Sequence, residues 1–300
     1  MFSGCGTALV TPFQEDLTLD EKALRSLVQR QLAAGIDFLV PCGTTGESPT
    51  LSHKEHLRVV EITLEEAKGK VPVVAGAGGY NTAEVLHLAK ELQAMGADGL
   101  LSVTPYYNKP TQEGLFQHYK ALSDTTNLPI IVYSVQGRTG INVEPATLKR
   151  MSELSNIVAV KEASGNISQI ARIVHEVPQK FHVLSGDDSM TIPVVALGGK
   201  GIISVVSNQI PGEMTQMTRL ALQGDYVGAR ALQRKFLPLM EMNFIEPNPQ
   251  PVKAAMAYMG LLKPVWRLPM TPPSQQTMQA IEKVLSGLNM MAQRSSHVAG

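Results

Sequence analysis

Lys161 stands directly after the run Ile157-Val158-Ala159-Val160, an unusual place for an ammonium group. A short, uninterrupted apolar run reads as a strand covered on both faces. Desolvation at its end disfavours a charged lysine and leaves a free amine near neutral pH. Such an amine can attack a ketone and form a Schiff base. The bland alternatives are a lysine that snorkels to the surface or one that pairs with Glu162. Other residues weigh against them, because polar groups follow apolar runs again and again. Thr44 and Thr45 come after Phe38-Leu39-Val40, and Tyr107 after Leu100 to Val103. Tyr133 closes Pro129 to Val132, and Gly186-Asp187-Asp188 follows Phe181 to Leu184. Forming and hydrolysing a Schiff base takes several proton transfers, so a positioned acid/base must lie near the amine. Tyr133 is the best candidate, since its strand precedes the lysine strand in order. The Thr44 hydroxyl donates and accepts at once and can pass that proton on, with Tyr107 extending the relay towards solvent. The alternative for each tyrosine is a rim aromatic, and for Thr44 a local backbone bond. Arg138, in the turn Gln136-Gly137-Arg138-Thr139-Gly140, suits bidentate capture of a carboxylate; the alternative is a surface ion pair. The N–H groups of Gly43-Thr44-Thr45-Gly46, just before a helix, suit a second carboxylate.

These residues need a frame that brings strand ends together. Helical spacing runs from Asp20 to Ala34, with Thr18 and Glu21 placed as a capping box. Further helices are read at His53 to Lys68, Thr82 to Met95, Glu113 to Ser123 and Pro145 to Leu154. Strands fall between them, from Cys5-Gly6-Thr7-Ala8-Leu9-Val10 through Val71 to Ala75 to Gly201-Ile202-Ile203-Ser204-Val205-Val206. Strict alternation means a parallel sheet with crossover helices. Eight such units in roughly 250 residues point to a (β/α)8 TIM barrel, whose chemistry sits at the C-terminal strand ends. No GxGxxG opens a helix, so a dinucleotide fold has no support. Gly198-Gly199-Lys200-Gly201 resembles a phosphate loop but precedes its strand, which puts it on the other face. The expected organisation is a barrel over residues 1–224, a C-terminal helical extension over 225–288, and a disordered tail over 289–300. The extension is expected to pack on the barrel or on a partner subunit.

Composition narrows the partners. Among 300 residues, 44% are hydrophobic and 17% charged, ample for a large core. Lys plus Arg and Asp plus Glu balance at 26 each, which speaks against nucleic-acid or membrane-surface partners and for a small-molecule substrate. Cys5 and Cys42 read as reduced, partly buried thiols of a cytoplasmic protein. No CxxC or HExxH marks a metal site, no signal peptide is apparent, and no apolar run approaches membrane-spanning length.

With these residues in view, the chain resembles the 4-hydroxy-tetrahydrodipicolinate (dihydrodipicolinate) synthase family of the pyruvate-dependent class I aldolase superfamily. The resemblance spans about Phe2 to Leu288. It rests on Thr7-Ala8-Leu9-Val10-Thr11-Pro12-Phe13, Gly43-Thr44-Thr45-Gly46-Glu47-Ser48, Tyr106-Tyr107-Asn108-Lys109-Pro110, Gly137-Arg138-Thr139-Gly140, Lys161-Glu162-Ala163 and Leu184-Ser185-Gly186-Asp187-Asp188. It implies that pyruvate forms a Schiff base with Lys161 and condenses, as the enamine, with L-aspartate 4-semialdehyde in lysine and diaminopimelate biosynthesis. Thr44, Tyr133 and Tyr107 match the family's proton relay, with Tyr107 reaching in from a neighbouring subunit. Thr45 and Ile203 match pyruvate-contacting positions, Gly186 is a further substrate-binding candidate, and Arg138 matches the arginine for the semialdehyde carboxylate. The resemblance further implies a homotetramer, a dimer of dimers, with no metal or organic cofactor. Ser48, His53, His56, Asn81, Glu84 and Tyr106 correspond to an inhibitory lysine site in some members, although Tyr80-Asn81 departs from the usual placing of its asparagine. Ser134 and Gln136 stand where members usually carry Asn and Pro, beside the Arg138 turn.

Two rival readings remain at this point. One is a sister aldolase acting on a sugar acid such as N-acetylneuraminate or a 2-keto-3-deoxy acid; the Arg138 motif argues against it. The other is a barrel that binds without catalysing, which intact Lys161, Tyr133, Thr44 and Tyr107 argue against.

Overall fold

The computed structural model describes residues 2–292. Eight strands alternate with helices: β1 (Gly4–Ala8), α1 (Glu21–Ala33), β2 (Phe38–Val40), α2 (His53–Ala67), β3 (Val74–Gly76), α3 (Thr82–Ala94), β4 (Gly99–Val103) and α4 (Gln112–Thr125). Then follow β5 (Ile130–Ser134), α5 (Gln136–Thr139), α6 (Pro145–Met151), β6 (Ile157–Glu162), α7 (Ile167–Glu176), β7 (His182–Ser185), α8 (Thr191–Ala196), β8 (Gly201–Ser204) and α9 (Pro211–Leu222). Helices α10 (Tyr226–Met242), α11 (Gln250–Tyr258) and α12 (Gln275–Gly287) complete the chain. The strands are all parallel, and β1 pairs with both β2 and β8. A Leu39–Val73 bridge joins β2 to β3, with Leu39 N–H donating to the Pro72 carbonyl (2.9 Å) and Gly76 N–H to Pro41 (2.9 Å). The sheet is the expected (β/α)8 barrel, with the expected helices after it.

Two clusters of buried side chains follow from period-two alternation along the strands. One lines the barrel interior and includes Ala8, Val40, Val74, Leu101, Ile131, Ala159, Leu184 and Ile203. The other lies between strands and helices and includes Leu39, Leu100, Val132, Val160, Val183 and Ile202. Phe2 and Phe38, with ring centroids 5.8 Å apart, fill the N-terminal end of the interior. Glycine makes the room: a Cβ on Gly6 would meet the Phe38 ring at 2.1 Å, and one on Gly99 the Phe2 ring at 2.6 Å. These rings plug the N-terminal end of the barrel interior.

The start of α1 differs from the sequence expectation. Asp20, not Thr18, caps the helix, its carboxylate accepting from Ala23 N–H (2.9 Å). Thr18 is drawn into a tight loop, its carbonyl accepting from Gln14 N–H and its hydroxyl donating to Asp16. A capping box does form at α2, between Ser52 and Glu55. The extension has no separate core: Phe236, Leu239, Ile281 and Leu285 belong to the same cluster as the strand and helix residues of the barrel. Order also runs further than residue 288. Met290 and Met291 pack on that cluster, and Ala292 N–H donates to the Tyr258 carbonyl (3.0 Å). The rest of the anticipated tail, 293–300, lies outside the described residues. No helix among the described residues is long and apolar enough to cross a membrane.

A buried ion pair also links barrel and extension. Lys253 of α11 reaches Glu47 in the loop after β2 at 2.5 Å, and both side chains are buried. Phe13 lies under both the Lys253 ammonium (4.4 Å to the ring centroid) and the Arg267 guanidinium (4.2 Å). Removing one partner of a buried pair strands the other charge. Lys253→Ala is therefore expected to destabilise the protein by about 3–5 kcal/mol in urea unfolding, while the double change Glu47→Leu with Lys253→Met should recover much of that loss. Equal stability of single and double variants would show that the pair is not the link.

Candidate active site

The cavity at the C-terminal rim measures about 410 Å³. Lys161 forms its floor, at the same register position as Tyr133 on β5 and Leu184 on β7. The inward parity that buries Ala159 also turns Lys161 inward, leaving it 4% exposed. Its ammonium sits over the Tyr133 ring, 4.1 Å from the centroid. Glu162, one residue on, faces the other way. Its carboxylate accepts from Gln169 Nε2 (3.0 Å) and Ser164 N–H (3.2 Å), and burial pushes its pKa up. Among the described residues no carboxylate forms an ion pair with Lys161, so the Lys161–Glu162 pairing weighed from the sequence does not occur.

Space beside the lysine is kept by Gly186. A Cβ there would lie 2.6 Å from Ala163 Cβ and 3.2 Å from Lys161 Cε. Thr44, Thr45 and Arg138 line the same cavity. In the Gly43–Gly46 turn, Gly46 N–H closes onto the Gly43 carbonyl (3.1 Å) and Glu47 N–H onto Thr44 (3.1 Å). Those two donors are therefore spent within the turn. The Thr11 hydroxyl holds the turn by donating to the Gly46 carbonyl (2.7 Å).

The Arg138 turn closes without a proline. It is the short helix α5, closed by Arg138 and Thr139 N–H groups on the Val135 carbonyl and by Gly140 N–H on Gln136. Ser134 Oγ accepts from Val143 N–H (3.3 Å), tying the following loop to β5. The guanidinium donates to the Asn248 carbonyl (3.2 Å).

Two expected residues stand elsewhere. Tyr107 is not among the residues lining the cavity; it is 92% exposed on the loop after β4, with a left-handed backbone (φ 68°). Ile203 is fully buried in the barrel interior, and Val205, just past the end of β8, lines the cavity instead. Sequence reading missed Phe244, Pro247 and Asn248, which come from the extension and wall the cavity. Asn248 donates to the Thr45 hydroxyl (2.9 Å) through Nδ2, while its Oδ1 is buried without a partner. The one hint in the sequence is the polar break Glu246-Pro247-Asn248-Pro249-Gln250, which interrupts the helical spacing of the extension.

A second cavity of about 520 Å³ adjoins the first, sharing Thr44, Val135 and Arg138 with it. Ser48, His56, Glu84 and Tyr106 line it, and Tyr80 packs edge-on against Tyr106. His56 Nε2 donates to the Gly76 carbonyl (2.8 Å), and burial lowers its pKa. His53 lines a neighbouring hollow of about 610 Å³ with His56 and Glu84. Asn81 lines neither; its side chain caps α3, accepting from Ala83 N–H (3.1 Å) and donating to Glu84 (2.9 Å). Cys5 and Cys42 are free and buried more completely than expected, and burial raises both thiol pKa values.

An amine beside a phenol at the strand-end rim of a (β/α)8 barrel places the chain among barrel enzymes that act on carbonyl compounds. The model of the Dihydrodipicolinate synthetase family matches residues 1–288, and the chain belongs to that family. It is 52% identical over 282 residues, 94% of each chain, to a relative from Koribacter versatilis (strain Ellin345) named 4-hydroxy-tetrahydrodipicolinate synthase. The solved dihydrodipicolinate synthase from Thermotoga maritima superimposes with a TM-score of 0.95 at 45% identity, covering 97% of this chain and 100% of that one. The enzyme from Cyanidioschyzon merolae, solved with lysine bound, gives 0.93 at 36% identity, covering 97% and 99%.

Asp188, just past β7, supports the rim from behind. It accepts from Ser204 Oγ (2.6 Å) and from Val205 and Val206 N–H groups (3.2 and 2.9 Å), which sets Val205 at the cavity wall. Complete burial outweighs these bonds and pushes its pKa up to about 6. A carboxyl raised above its unfolded value of about 3.9 takes up a proton on folding. That contribution is fully present below about pH 4 and is lost as pH rises through about 6, on the order of 3 kcal/mol in all. The stability of the protein minus that of Asp188→Asn is thus expected to fall between pH 4 and 6. A pH-independent difference in urea unfolding would overturn the assignment.

Proposed function

We propose that the rim cavity condenses pyruvate with L-aspartate 4-semialdehyde, the 4-hydroxy-tetrahydrodipicolinate synthase reaction of lysine and diaminopimelate biosynthesis. The Lys161 amine attacks C2 of pyruvate and water leaves, giving a Schiff base. Loss of a methyl proton yields the enamine, whose carbon attacks the aldehyde carbon. The new alkoxide takes up a proton, and the substrate's own amino group then displaces Lys161 from C2 as the ring closes. Every step moves a proton near the amine. Tyr133 is the group that gives and takes it, with Thr44 handing it on. Thr45 and the Thr44–Thr45 turn hold the pyruvate carboxylate, Gly186 leaves room for it, and Ile203 supports that end from below. Arg138 holds the semialdehyde carboxylate. None of these steps calls on a metal or organic cofactor. The observation that carries the reading is the in-register pair: Lys161 Nζ at 4.1 Å from the Tyr133 ring, on the floor of the cavity.

Tyr107 completes the relay from a second copy of the chain in a homotetramer built as a dimer of dimers. Its exposure and left-handed backbone fit a residue that projects into a neighbour. The cavity holding Ser48, His56, Glu84 and Tyr106 takes lysine as inhibitor, Glu84 meeting an ammonium group and His56 the carboxylate, with His53 in the neighbouring hollow that shares His56 and Glu84. A cytoplasmic setting fits two free thiols. The anchored Arg138 favours this reading over a sugar-acid substrate.

The first test is trapping with borohydride in the presence of pyruvate. A reduced pyruvyl adduct is expected on the Lys161 peptide alone, and Lys161→Ala should lower turnover at least about 10³-fold with its circular dichroism unchanged. Full activity in that variant, or an adduct on another lysine, would sink the mechanism. Tyr107 calls for a mixing experiment. Chains carrying Tyr107→Ala and chains carrying Lys161→Ala should regain activity when co-assembled, because one cavity then receives an intact lysine and an intact tyrosine. No gain over either parent would place Tyr107 outside the site, whereas Tyr107→Phe alone should impair chemistry only mildly.

A further inference from the structure

His53, His87 and Glu91 form a cluster that the proposed chemistry does not use. His87 and Glu91 lie one turn apart on α3, so they share a face. His53 opens α2 and meets them across the helix pair. Its Nε2 lies 2.8 Å from Glu91 Oε2, and His87 Nε2 lies 3.6 Å from the same oxygen. All three donor atoms fall within 4.8 Å of one another. The two imidazoles run nearly parallel, with centroids 5.8 Å apart and 21° between planes.

The arrangement differs from an ordinary surface ion pair in one respect. Glu91 Oε2 is shielded from solvent, yet it accepts no hydrogen bond, although an imidazole nitrogen stands at 2.8 Å. The nitrogen approaches the oxygen without pointing an N–H at it. The Glu91 side chain as a whole is 32% exposed, but this one oxygen is out of reach of water and lacks a well-directed donor as its partner. A cation between the three donors supplies that partner. Zinc bonds of 2.0–2.2 Å at tetrahedral angles set neighbouring donors roughly 3.4 Å apart. The distances 2.8 and 3.6 Å bracket that spacing.

We propose that His53, His87 and Glu91 bind a divalent transition-metal ion of the zinc class, with water in the open position. Two imidazoles select zinc, nickel, cobalt or copper over magnesium and calcium, which prefer oxygen ligands. Exposed imidazoles, 52% for the His53 side chain and 71% for His87, leave the fourth position open to solvent. The ion ties the start of α2 to the middle of α3. Those helices wall the hollow of about 610 Å³ that His53 and His87 line with His56 and Glu84. Occupancy therefore fixes His53 and couples to any ligand of that hollow, and the coupling is reciprocal.

The test uses the tag-free full chain, stripped with chelator and exchanged into metal-free buffer. Calorimetric titration with zinc chloride is expected to show one saturable ion per chain, and cobalt(II) should give a ligand-field spectrum of low coordination number. His87→Ala should weaken zinc at least roughly 10-fold, and His87→Ala combined with Glu91→Gln should abolish the saturable step. Circular dichroism checks that the variants fold, and the buried cysteines serve neither as ligands nor as competitors. Absence of a saturable step in the unaltered chain, or zinc binding of undiminished affinity in the folded double variant, overturns the proposal.

Discussion

Period-two alternation along eight parallel strands governs what can be chemical in this molecule. Closing the sheet leaves each strand residue one of two destinations, the barrel interior or the layer beneath the helices. Ala159 and Lys161 go inward and Val160 and Glu162 outward, so two adjacent ionisable residues meet unrelated surroundings. The same parity on β5 sends Tyr133 inward at the register of Lys161. A one-residue slip between β5 and β6 would move the phenol to the helical layer and leave the amine facing apolar side chains. The bulge in pairing near Ile130 and Ile131 occurs before the two residues align, so register is recovered at the site.

Much of this is legible in the sequence because strand runs and strand-end chemistry are local. Lys161, Tyr133 and Gly186 announce themselves by following apolar runs, and the structure brings them to one cavity with Thr44, Thr45 and Arg138. Asn248 and Phe244 cannot be found that way. They reach the rim because the extension folds back over it, a contact more than a hundred residues removed in sequence from Arg138. Thr18 misleads for a related reason. Its sequence spacing fits a cap, but the loop from Phe13 to Leu19 pairs on itself and leaves the role to Asp20. Tyr133 lies within β5 and obeys strand parity, whereas Tyr107 stands beyond the end of β4 in a left-handed turn where that parity no longer applies, and its side chain is exposed.

Glu47 explains why the extension is more than a covering. Its backbone adopts a left-handed conformation (φ 53°) directly after the turn that carries Thr44 and Thr45. Such a conformation is unfavourable for a residue with a side chain and persists only where the surroundings over-determine it. Here the surroundings are the Lys253 ammonium, the Arg267 backbone N–H at 3.4 Å and the Phe13 ring beneath both cations. Arg267 also bridges to Glu55 through two nitrogens (2.6 and 2.9 Å), holding Glu55 down to a pKa of about 2. The turn, the start of α2 and the extension are thus fixed as one unit.

That unit also stands between the two adjoining cavities. Thr44 faces both, and Ser48, four residues on, faces only the second. Arg138 is shared in the same way from the other wall, held by Asn248 of the extension. A ligand that pushes on the Ser48 side has little slack to compress, because Glu47 is pinned from below and the Gly43–Gly46 turn is closed by its own hydrogen bonds. On the proposed function, a displacement there would bear on Thr44 and Arg138, which line both cavities. Positioning tolerances for such groups are of the order of an ångström, so a small shift suffices to change the rate. Communication between the cavities then requires no hinge and no large movement, only a stiff loop with one face in each.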